Sequence, residues 1–373
     1  MNTQTSVLDR YSDAAKTREE ALCCPVEYDS TLLNMLPQEI IDKDYGCGDP
    51  SRYVRPGDRV LDLGSGSGKI CYMAGLIVGP QGHVTGVDMN DDMLALARKY
   101  QADMAHKLGD DRVRFVKGQI HDLALDQEAL DNYLRSHPVT SSLGLAALQA
   151  WQAQQRAERP LIPDASVDLV ISNCVLNLVD EAAKPALMRE IYRVLKPGGR
   201  IAISDIIADE PIPQHLKDDA TLWSGCISGA FVEDEFLRAF VDTGFQAMLL
   251  DKWDTHAWRV VVGIEFRAVT VTAVKPEGRE CLDVGHAVIY RGPYAEVRDE
   301  EGHIFPRGER IAVCARTHRA LTQGVHKDSF ISITPAVLKE PQAWCAPHGT
   351  RRPASVTKGA VFESACGTGS GCC

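Results

Sequence analysis

The 373-residue sequence has no apolar run approaching the roughly 20 residues that a membrane span requires. Its richest apolar stretch, WRVVVGIEF at 258–266, has the length of a buried strand. The first residues, MNTQTSVLDR, are polar and contain no apolar core of a signal peptide. We therefore expect a cytoplasmic protein with no membrane partner.

An excess of basic residues is also missing, because 40 Lys and Arg stand against 51 Asp and Glu, a net charge of -11. Binding to a phosphate backbone needs a basic surface, so we expect no nucleic-acid partner. The composition is that of a globular protein, and the length favours two domains. No pattern indicates an oligomer, and a monomer is the expectation.

Zinc-ribbon spacing is a third absence, since the 12 cysteines form no CxxC…CxxC pattern. In a reducing compartment they are not expected to form structural disulfides. The sequence instead has two vicinal pairs, Cys23-Cys24 and Cys372-Cys373, and single cysteines in distinctive loops.

The succession of strand and helix patterns predicts an α/β fold with a parallel, doubly wound sheet. This succession of strands and helices comes after a mostly helical, charged lead-in at 1–44 and a loop rich in Gly and Pro at 45–57. We predict strands at 59–63, 83–88, 113–117, 167–172 and 200–204, and helices at 69–78, 91–108 and 183–195.

Two later changes of pattern set the expected domain organisation. The interval 122–166 is too long for an ordinary connection and contains two helical patterns, so we predict an inserted helical excursion there, either a lid or a surface decoration. After Gly244 the pattern becomes strands separated by Gly and Pro turns. We therefore predict a first domain at 45–244, a smaller α+β domain at 245–333, and a C-terminal segment at 334–373 with a flexible, Cys-rich end.

The strongest local motif is VLDLGSGSGKI at 60–70, in which a strand runs into a glycine loop and then a helix. Its GxGxG spacing differs from the GxGxxG of nicotinamide-binding folds. Asp88, twenty residues past Gly68, can hydrogen-bond both hydroxyls of a ribose. Together these features resemble motifs I and II of class I S-adenosylmethionine-dependent methyltransferases. The resemblance implies a cofactor site at Asp62, Gly64, Ser65, Gly66, Gly68, Asp88, Met89, Ile120, His121 and Asn173.

Four cysteines are predicted to surround this crevice: Cys47 in YGCG, Cys71 after the glycine loop, Cys174 after the fourth strand and Cys226 in SGCISGA. A helix N-terminus lowers a thiol pKa, which predicts a thiolate at Cys71. A thiolate cluster suits a thiophilic centre such as zinc or trivalent arsenic. No general base stands out beside Asn173, and trivalent arsenic needs none, because its own lone pair can attack a methyl group.

The segments YGCG, DLGSGSGKICY, VISNCVLNLV and SGCISGA, in this order, resemble the arsenite S-adenosylmethionine methyltransferases over residues 40–333. The resemblance implies methylation of As(III), supplied as arsenite or its thiol conjugates, in arsenic detoxification, with 245–333 as the arsenic-binding domain. It implies that Cys174, Cys226 and one of Cys47 or Cys71 hold As(III). It also implies that a Cys47–Cys71 disulfide returns arsenic to the trivalent state, and that thioredoxin or glutathione regenerates the thiols.

Two departures and two alternatives accompany this expectation. Lys69-Ile70 stands where family members often have Arg-Asp, and the interval 122–166 is unusually long. The pair Cys372-Cys373 either captures arsenic in a flexible tail or is dispensable. The alternatives are a class I methyltransferase of a small organic substrate and a non-enzymatic, thiol-based metalloid binder.

Overall fold

A computed structural model describes residues 3–19, 26–278, 280–323, 326–344 and 349–358. The chain divides between Pro276 and Glu277 into two compact units. The vicinal pairs Cys23-Cys24 and Cys372-Cys373 lie outside the described residues. Within the described ranges, every helix is too short or too polar to cross a bilayer.

The first unit is built on a nine-stranded sheet. Its strands are β1 (Arg59–Leu63), β2 (His83–Asp88), β3 (Val113–Lys117), β4 (Val167–Asn173), β5 (Leu195–Ala208), β6 (Phe231–Val232), β7 (Gln246–Trp253), β8 (Arg259–Val261) and β9 (Ile264–Val274). They lie in the order β3-β2-β1-β4-β5-β9-β7, with β6 beside β5 and β8 beside β9. Strands β1 to β5 are parallel, whereas β9 runs antiparallel to β5 and β7. The predicted α/β class is confirmed, and the sheet is mixed because of its antiparallel edge.

The helices of this unit cover both faces of the sheet. They are α1 (Thr3–Lys16), α2 (Ser30–Leu33), α3 (Gln38–Asp42), α4 (Lys69–Val78), α5 (Asp91–Lys99), α6 (Gln101–Leu108), α7 (Gln127–Ser136), α8 (Ser142–Glu158), α9 (Lys184–Val194), α10 (Gln214–Lys217), α11 (Ala220–Ser224) and α12 (Glu233–Thr243). Among the described residues, short 3-10 helices lie at Pro50–Tyr53, Leu176–Leu178 and Glu181–Ala183. Helices α7 and α8 confirm the two helical patterns of the 122–166 interval. The single helix predicted at 91–108 is two helices that meet at Tyr100.

Successive side chains of a strand point to opposite faces of the sheet, so each face has its own hydrophobic core. Leu61 and Val170 belong to the cluster with helices α9 and α12, while Val60 and Ile171 belong to the cluster with α4. The Asn90 side chain accepts hydrogen bonds from the backbone of Asp92 and Met93, so it caps α5 as its sequence position predicts. The sheet is thus fixed from both sides, and the loops at its carboxyl edge start from rigid positions.

The predicted domain boundary at 244/245 is wrong. Strand β9 pairs with β5 from Arg200 to Ala208, and β7 pairs with β9. Phe266, Val269 and Val271 of β9 are fully buried. These side chains complete the core of the first unit, which is why the strand pattern after Gly244 does not start a new domain.

The second unit has small sheets and its own core. Its elements are β10 (Leu282–Asp283), β11 (Ala287–Tyr290), β12 (Glu296–Arg298), β13 (Ile304–Pro306), β14 (Arg310–Ala312), α13 (Ala315–Gln323), β15 (Phe330–Ile333), β16 (Gln342–Ala343) and α14 (Ala354–Lys358). Strand β11 lies between β14 and β15, and Val288, Phe305 and Phe330 pack together. The boundary predicted at 333/334 is also wrong, because β16 pairs with β10 inside this unit.

Candidate active site

A pocket lies at the carboxyl ends of β1 to β4, the edge where parallel α/β sheets bind ligands. Nine of the ten predicted cofactor residues line it: Asp62, Gly64, Ser65, Gly66, Asp88, Met89, Ile120, His121 and Asn173. Gly68 does not line it. Gly68 precedes α4 and lies so close to Phe115 that a Cβ would be 2.7 Å from that ring, so its role is close packing of the helix.

The Asp88 carboxylate fixes the glycine loop. It accepts hydrogen bonds of 2.8 Å from the backbone N–H of Gly66 and from that of Asn90. Burial raises the Asp88 pKa, and these two donors oppose the rise. The carboxylate is therefore held at the end of β2, where it faces the pocket.

The charges and shape of the pocket fit S-adenosylmethionine, which carries an ammonium and a sulfonium. The lining includes the carboxylates of Asp44, Asp62, Asp88 and Asp180, and one lysine, Lys43. Burial raises the Asp62 pKa to about 8, and a nearby cation would favour its ionised form. Met89 and Ile120 add apolar surface for a planar base.

Two segments outside the predicted set also line the pocket. One is the face of α1 that carries Gln4, Val7, Leu8 and Tyr11, and the other is 43–45. The spacing of these α1 residues is that of one helix face. This spacing was the available signal, but the sequence analysis assigned no residue of the helical lead-in to the site.

Three of the four predicted cysteines share one buried cluster beside the pocket: Cys47, Cys174 and Cys226. Cys47 and Cys174 form a disulfide with a Cα–Cα distance of 6.0 Å. The Cys226 Sγ donates a 3.3 Å hydrogen bond to the Cys174 carbonyl oxygen. Cys174 also lines the pocket, so this cluster adjoins it.

The backbone at two of these cysteines is strained. Cys174 has a φ of 59° and Cys226 a φ of 60°, in the left-handed region that residues other than Gly seldom adopt. The Cys174 N–H donates to the Ser204 carbonyl at 2.8 Å, and the Cys226 N–H donates to the Trp223 carbonyl at 3.1 Å. Such strain persists where the surrounding structure enforces it, and it is concentrated at functional sites.

Asn173 positions the loop that carries Cys47. Its Oδ1 accepts from the backbone N–H of Cys47 at 2.9 Å and of Gly48 at 3.0 Å, and its Nδ2 donates to the Gly48 carbonyl at 2.9 Å. A Cβ on Gly46 would be 2.2 Å from the Asn173 amide, and one on Gly48 would be 2.3 Å from the Ser204 hydroxyl. The YGCG glycines are therefore needed for close approach. Although Asn173 lines the pocket, its amide is engaged with this loop.

Cys71 lies away from the thiol cluster, and its predicted low pKa is wrong. Its thiol is fully buried among the α4 core residues and lies 3.2 Å from the Asp62 carboxylate. Burial, followed by the Asp62 charge, raises the Cys71 pKa well above its ordinary value. These effects outweigh the helix N-terminus. The predicted Cys47–Cys71 disulfide is also not the one observed, since Cys47 is bonded to Cys174.

Comparisons with known proteins identify the family. A methyltransferase domain model matches residues 55–244, and a model of a domain of unknown function matches 277–362. The arsenite methyltransferase of Aquipseudomonas alcaligenes is 33% identical over 303 residues, covering 78% of this chain and 77% of that protein. The chain belongs to the arsenite methyltransferase family.

Further arsenite methyltransferases match most of this chain. The Mus musculus arsenite methyltransferase is 32% identical, with 91% of this chain and 84% of that protein covered. The structure of CrArsM, an arsenic (III) S-adenosylmethionine methyltransferase from Chlamydomonas reinhardtii, is 28% identical with a TM-score of 0.57, and the match covers 85% of this chain and 99% of that one. The chain is therefore an S-adenosylmethionine-dependent methyltransferase with the class I fold.

Lys69 anchors the segment before Cys47. Its Nζ lies 2.5 Å from Asp44 Oδ2 and 3.6 Å from the centroid of the Tyr28 ring. The Tyr28 hydroxyl donates to the Gly48 carbonyl at 3.2 Å. Because Lys69 is buried, this ion pair ties the 44–48 segment to the start of α4.

Asp205 organises the other side of the thiol cluster. Its carboxylate accepts from the Leu176 N–H at 2.9 Å and from the Asn177 Nδ2 at 2.8 Å. Asn177 Nδ2 also donates to the Ile206 carbonyl at 2.6 Å. Burial raises the Asp205 pKa to about 7. The turn that follows Cys174 is thereby fixed to the end of β5.

Proposed function

We propose that this methyltransferase transfers the methyl group of S-adenosylmethionine to As(III) held by the sulfurs of Cys47, Cys174 and Cys226. One observation carries the proposal: these three cysteines share a buried cluster beside the cofactor pocket, whereas Cys71 packs among the α4 core residues. The sequence resemblance left the third ligand open between Cys47 and Cys71, and we assign it to Cys47. Relatives named as arsenite methyltransferases support the substrate class.

When bound, S-adenosylmethionine supplies an activated methyl group. As(III) with three sulfur ligands is pyramidal and keeps a lone pair, which attacks this methyl carbon as the carbon–sulfonium bond breaks. Cys174, which lines the pocket, would place the arsenic beside the cofactor. The enzyme's task is then to hold the two reactants in line and to exclude water.

The transfer leaves arsenic formally pentavalent, and two cysteine thiolates can return two electrons to it by coupling as a disulfide. We assign this role to Cys47 and Cys174, which are bonded in the structure. With Cys47 and Cys174 oxidised, no group of three His, Cys, Asp or Glu among the described residues is arranged to hold a metal ion, so the proposed three-sulfur site requires this disulfide to be reduced. Reduction of the disulfide by two equivalents of glutathione, or by one equivalent of the dithiol thioredoxin, would restore the three-sulfur site for arsenic detoxification.

Product analysis of the purified protein with arsenite, S-adenosylmethionine and glutathione tests this proposal. We expect S-adenosylhomocysteine and methylated arsenic to accumulate together. Arsenic binding without S-adenosylhomocysteine would instead identify a metalloid binder and overturn the proposal. Arsenite-independent S-adenosylhomocysteine, formed only when an organic acceptor is added, would identify a methyltransferase of small organic molecules.

A further inference from the structure

A second cleft, of about 820 Å³, is lined chiefly by helices α9 and α12 of the first unit. It shares no lining residue with the pocket at the carboxyl ends of β1 to β4, and its volume is that of a site for a small organic molecule. Ile212 and Ala230 line this cleft and also belong to the buried cluster of Cys47, Cys174 and Cys226. The cleft therefore adjoins the thiol cluster through these two side chains.

The buried wall of the cleft carries a positive charge without a counterion. Lys184, which lines the cleft, is only 8% exposed. Its Nζ donates to the Gly229 carbonyl at 2.6 Å and lies 4.0 Å from the ring centroid of Phe231, another lining residue. Among the described residues, no carboxylate forms an ion pair with Lys184. Burial lowers the Lys184 pKa to about 8, and a bound anion would stabilise the charged form.

The exposed part of the cleft carries further charges that are not paired. Glu235 and Asp242 of α12 and Arg189 of α9 are exposed lining residues, and none of them forms an ion pair within the described ranges. The other basic lining residues, Lys217 and Arg193, are already paired with carboxylates. The cleft thus offers two cations and two carboxylates to a ligand that carries both signs of charge.

We propose that this cleft binds a small peptide with free carboxylates and a free amino group, and that the peptide is the glutathione of the reducing step. Its two carboxylates would pair with Lys184 and Arg189, and its ammonium with the α12 carboxylates. The identity of the ligand rests on the proposed function, which requires a thiol beside the thiol cluster. Lys184 also holds Gly229, three residues past Cys226, so the ligand would bind against the segment that carries an arsenic ligand.

The chemistry of the reducing step is thiol–disulfide exchange. One glutathione thiolate attacks the enzyme disulfide and forms a mixed disulfide, which a second glutathione thiolate resolves. The products are two cysteine thiols and glutathione disulfide, so two electrons pass from glutathione to the enzyme. The cleft would supply the affinity for glutathione that a reductant without carboxylates does not use.

Binding is tested by calorimetry with S-methylglutathione, which keeps both carboxylates and the ammonium but cannot reduce a disulfide. We expect Lys184→Met to weaken its binding about tenfold, because a charge-assisted hydrogen bond is lost while the aliphatic chain remains. Glu235→Gln changes an exposed side chain and should weaken binding about two- to fivefold. Arg238→Gln is the matched control, because Arg238 lies on α12 outside the cleft and is paired with Asp234.

Turnover gives an independent readout. The KM for glutathione should rise about tenfold in Lys184→Met, whereas turnover supported by dithiothreitol, which has no carboxylate, should match that of the wild type. Absence of S-methylglutathione binding to the wild type overturns the inference, as does equal affinity in all three variants. Displacement of S-methylglutathione by an equal concentration of inorganic phosphate would identify a general anion site and also overturn it. If the wild type binds the peptide as expected but forms no methylated arsenic, the proposed function fails while the binding site stands.

Discussion

The proposed cofactor half of the site is assembled from short segments that each follow a strand, whereas the proposed thiol half joins three loops far apart in the chain. Residues 62–66 and 88–89 lie at the carboxyl ends of β1 and β2, and the pairing of these two strands fixes their positions. Cys47 and Cys174 are 127 residues apart, and Cys174 and Cys226 are 52 residues apart. The thiol half therefore depends on hydrogen bonds from distant side chains, chiefly those of Asn173 and Asp205. The comparison predicts that each half can be damaged while the other persists.

The largest expected effect is that of Cys174→Ser on the thiol half. Removing a sulfur at the cofactor side of the cluster should lower arsenite methylation by about 100-fold or more, because the arsenic is no longer held in line. Affinity for S-adenosylmethionine should be retained, since the sheet edge that forms the cofactor half is intact. Calorimetry and product analysis on the same sample check both parts. Retained methylation would contradict the assignment of the ligands.

The reciprocal change is Asp88→Ala in the cofactor half. The loss of a carboxylate that accepts from Gly66 and Asn90 should weaken cofactor binding by about 10- to 100-fold, as expected for charged hydrogen bonds. The reduced protein should still bind arsenite, measured as arsenic retained after gel filtration. Loss of arsenite binding together with cofactor binding would show that the two halves are not separable.

A smaller effect is expected for Asn173→Ala, which removes the hydrogen bonds that hold the Cys47 loop against the end of β4. Three hydrogen bonds to the Cys47 loop are lost, so the free energy of unfolding should fall by about 2–4 kcal/mol. The disulfide between Cys47 and Cys174 should also form more slowly on oxidation. Urea unfolding and thiol titration measure the two effects. Asn132→Ala on the exposed helix α7 is the control, and equal behaviour of the two variants would remove Asn173 as a tether.

The smallest effect concerns the pH dependence of stability through Asp62. Its pKa is about 8 in the folded protein, against an ordinary value of 3.8, so its contribution to stability is full below the lower value and is lost as pH rises to 8. The Asp62→Asn side chain cannot ionise, so the variant does not lose this contribution to stability as the pH rises. The melting temperature of the variant should therefore fall less than that of the wild type between pH 5 and pH 8. Parallel curves would mean that Asp62 ionises normally.

Sequence patterns predicted which residues line the pocket, because these residues follow strands directly. Asp62, the glycine loop and Asp88 are local, and their placement requires only the order of the strands. The thiol half was predicted in part: three cysteines meet, but Cys71 does not join them. Position in a first helical turn did not reveal that its thiol points into the core against Asp62.

Three other features could not be predicted because they depend on long-range packing. Strand β9 has the pattern of any buried strand, and its sequence does not say which sheet it joins. The stretch expected as one buried strand at 258–266 contains β8 and a turn, with Val260 and Val262 exposed. Helix α1 carries few apolar residues, so its place over the pocket follows from tethers such as Asn90.

X-ray absorption at the arsenic edge tests the central claim most directly. The protein is reduced with a phosphine, loaded with one equivalent of arsenite and freed of external thiols, so every sulfur ligand comes from the chain. We predict three sulfur ligands in the wild type and in Cys71→Ser, and only two in Cys47→Ser. Loss of a sulfur in Cys71→Ser, with three retained in Cys47→Ser, would contradict the account.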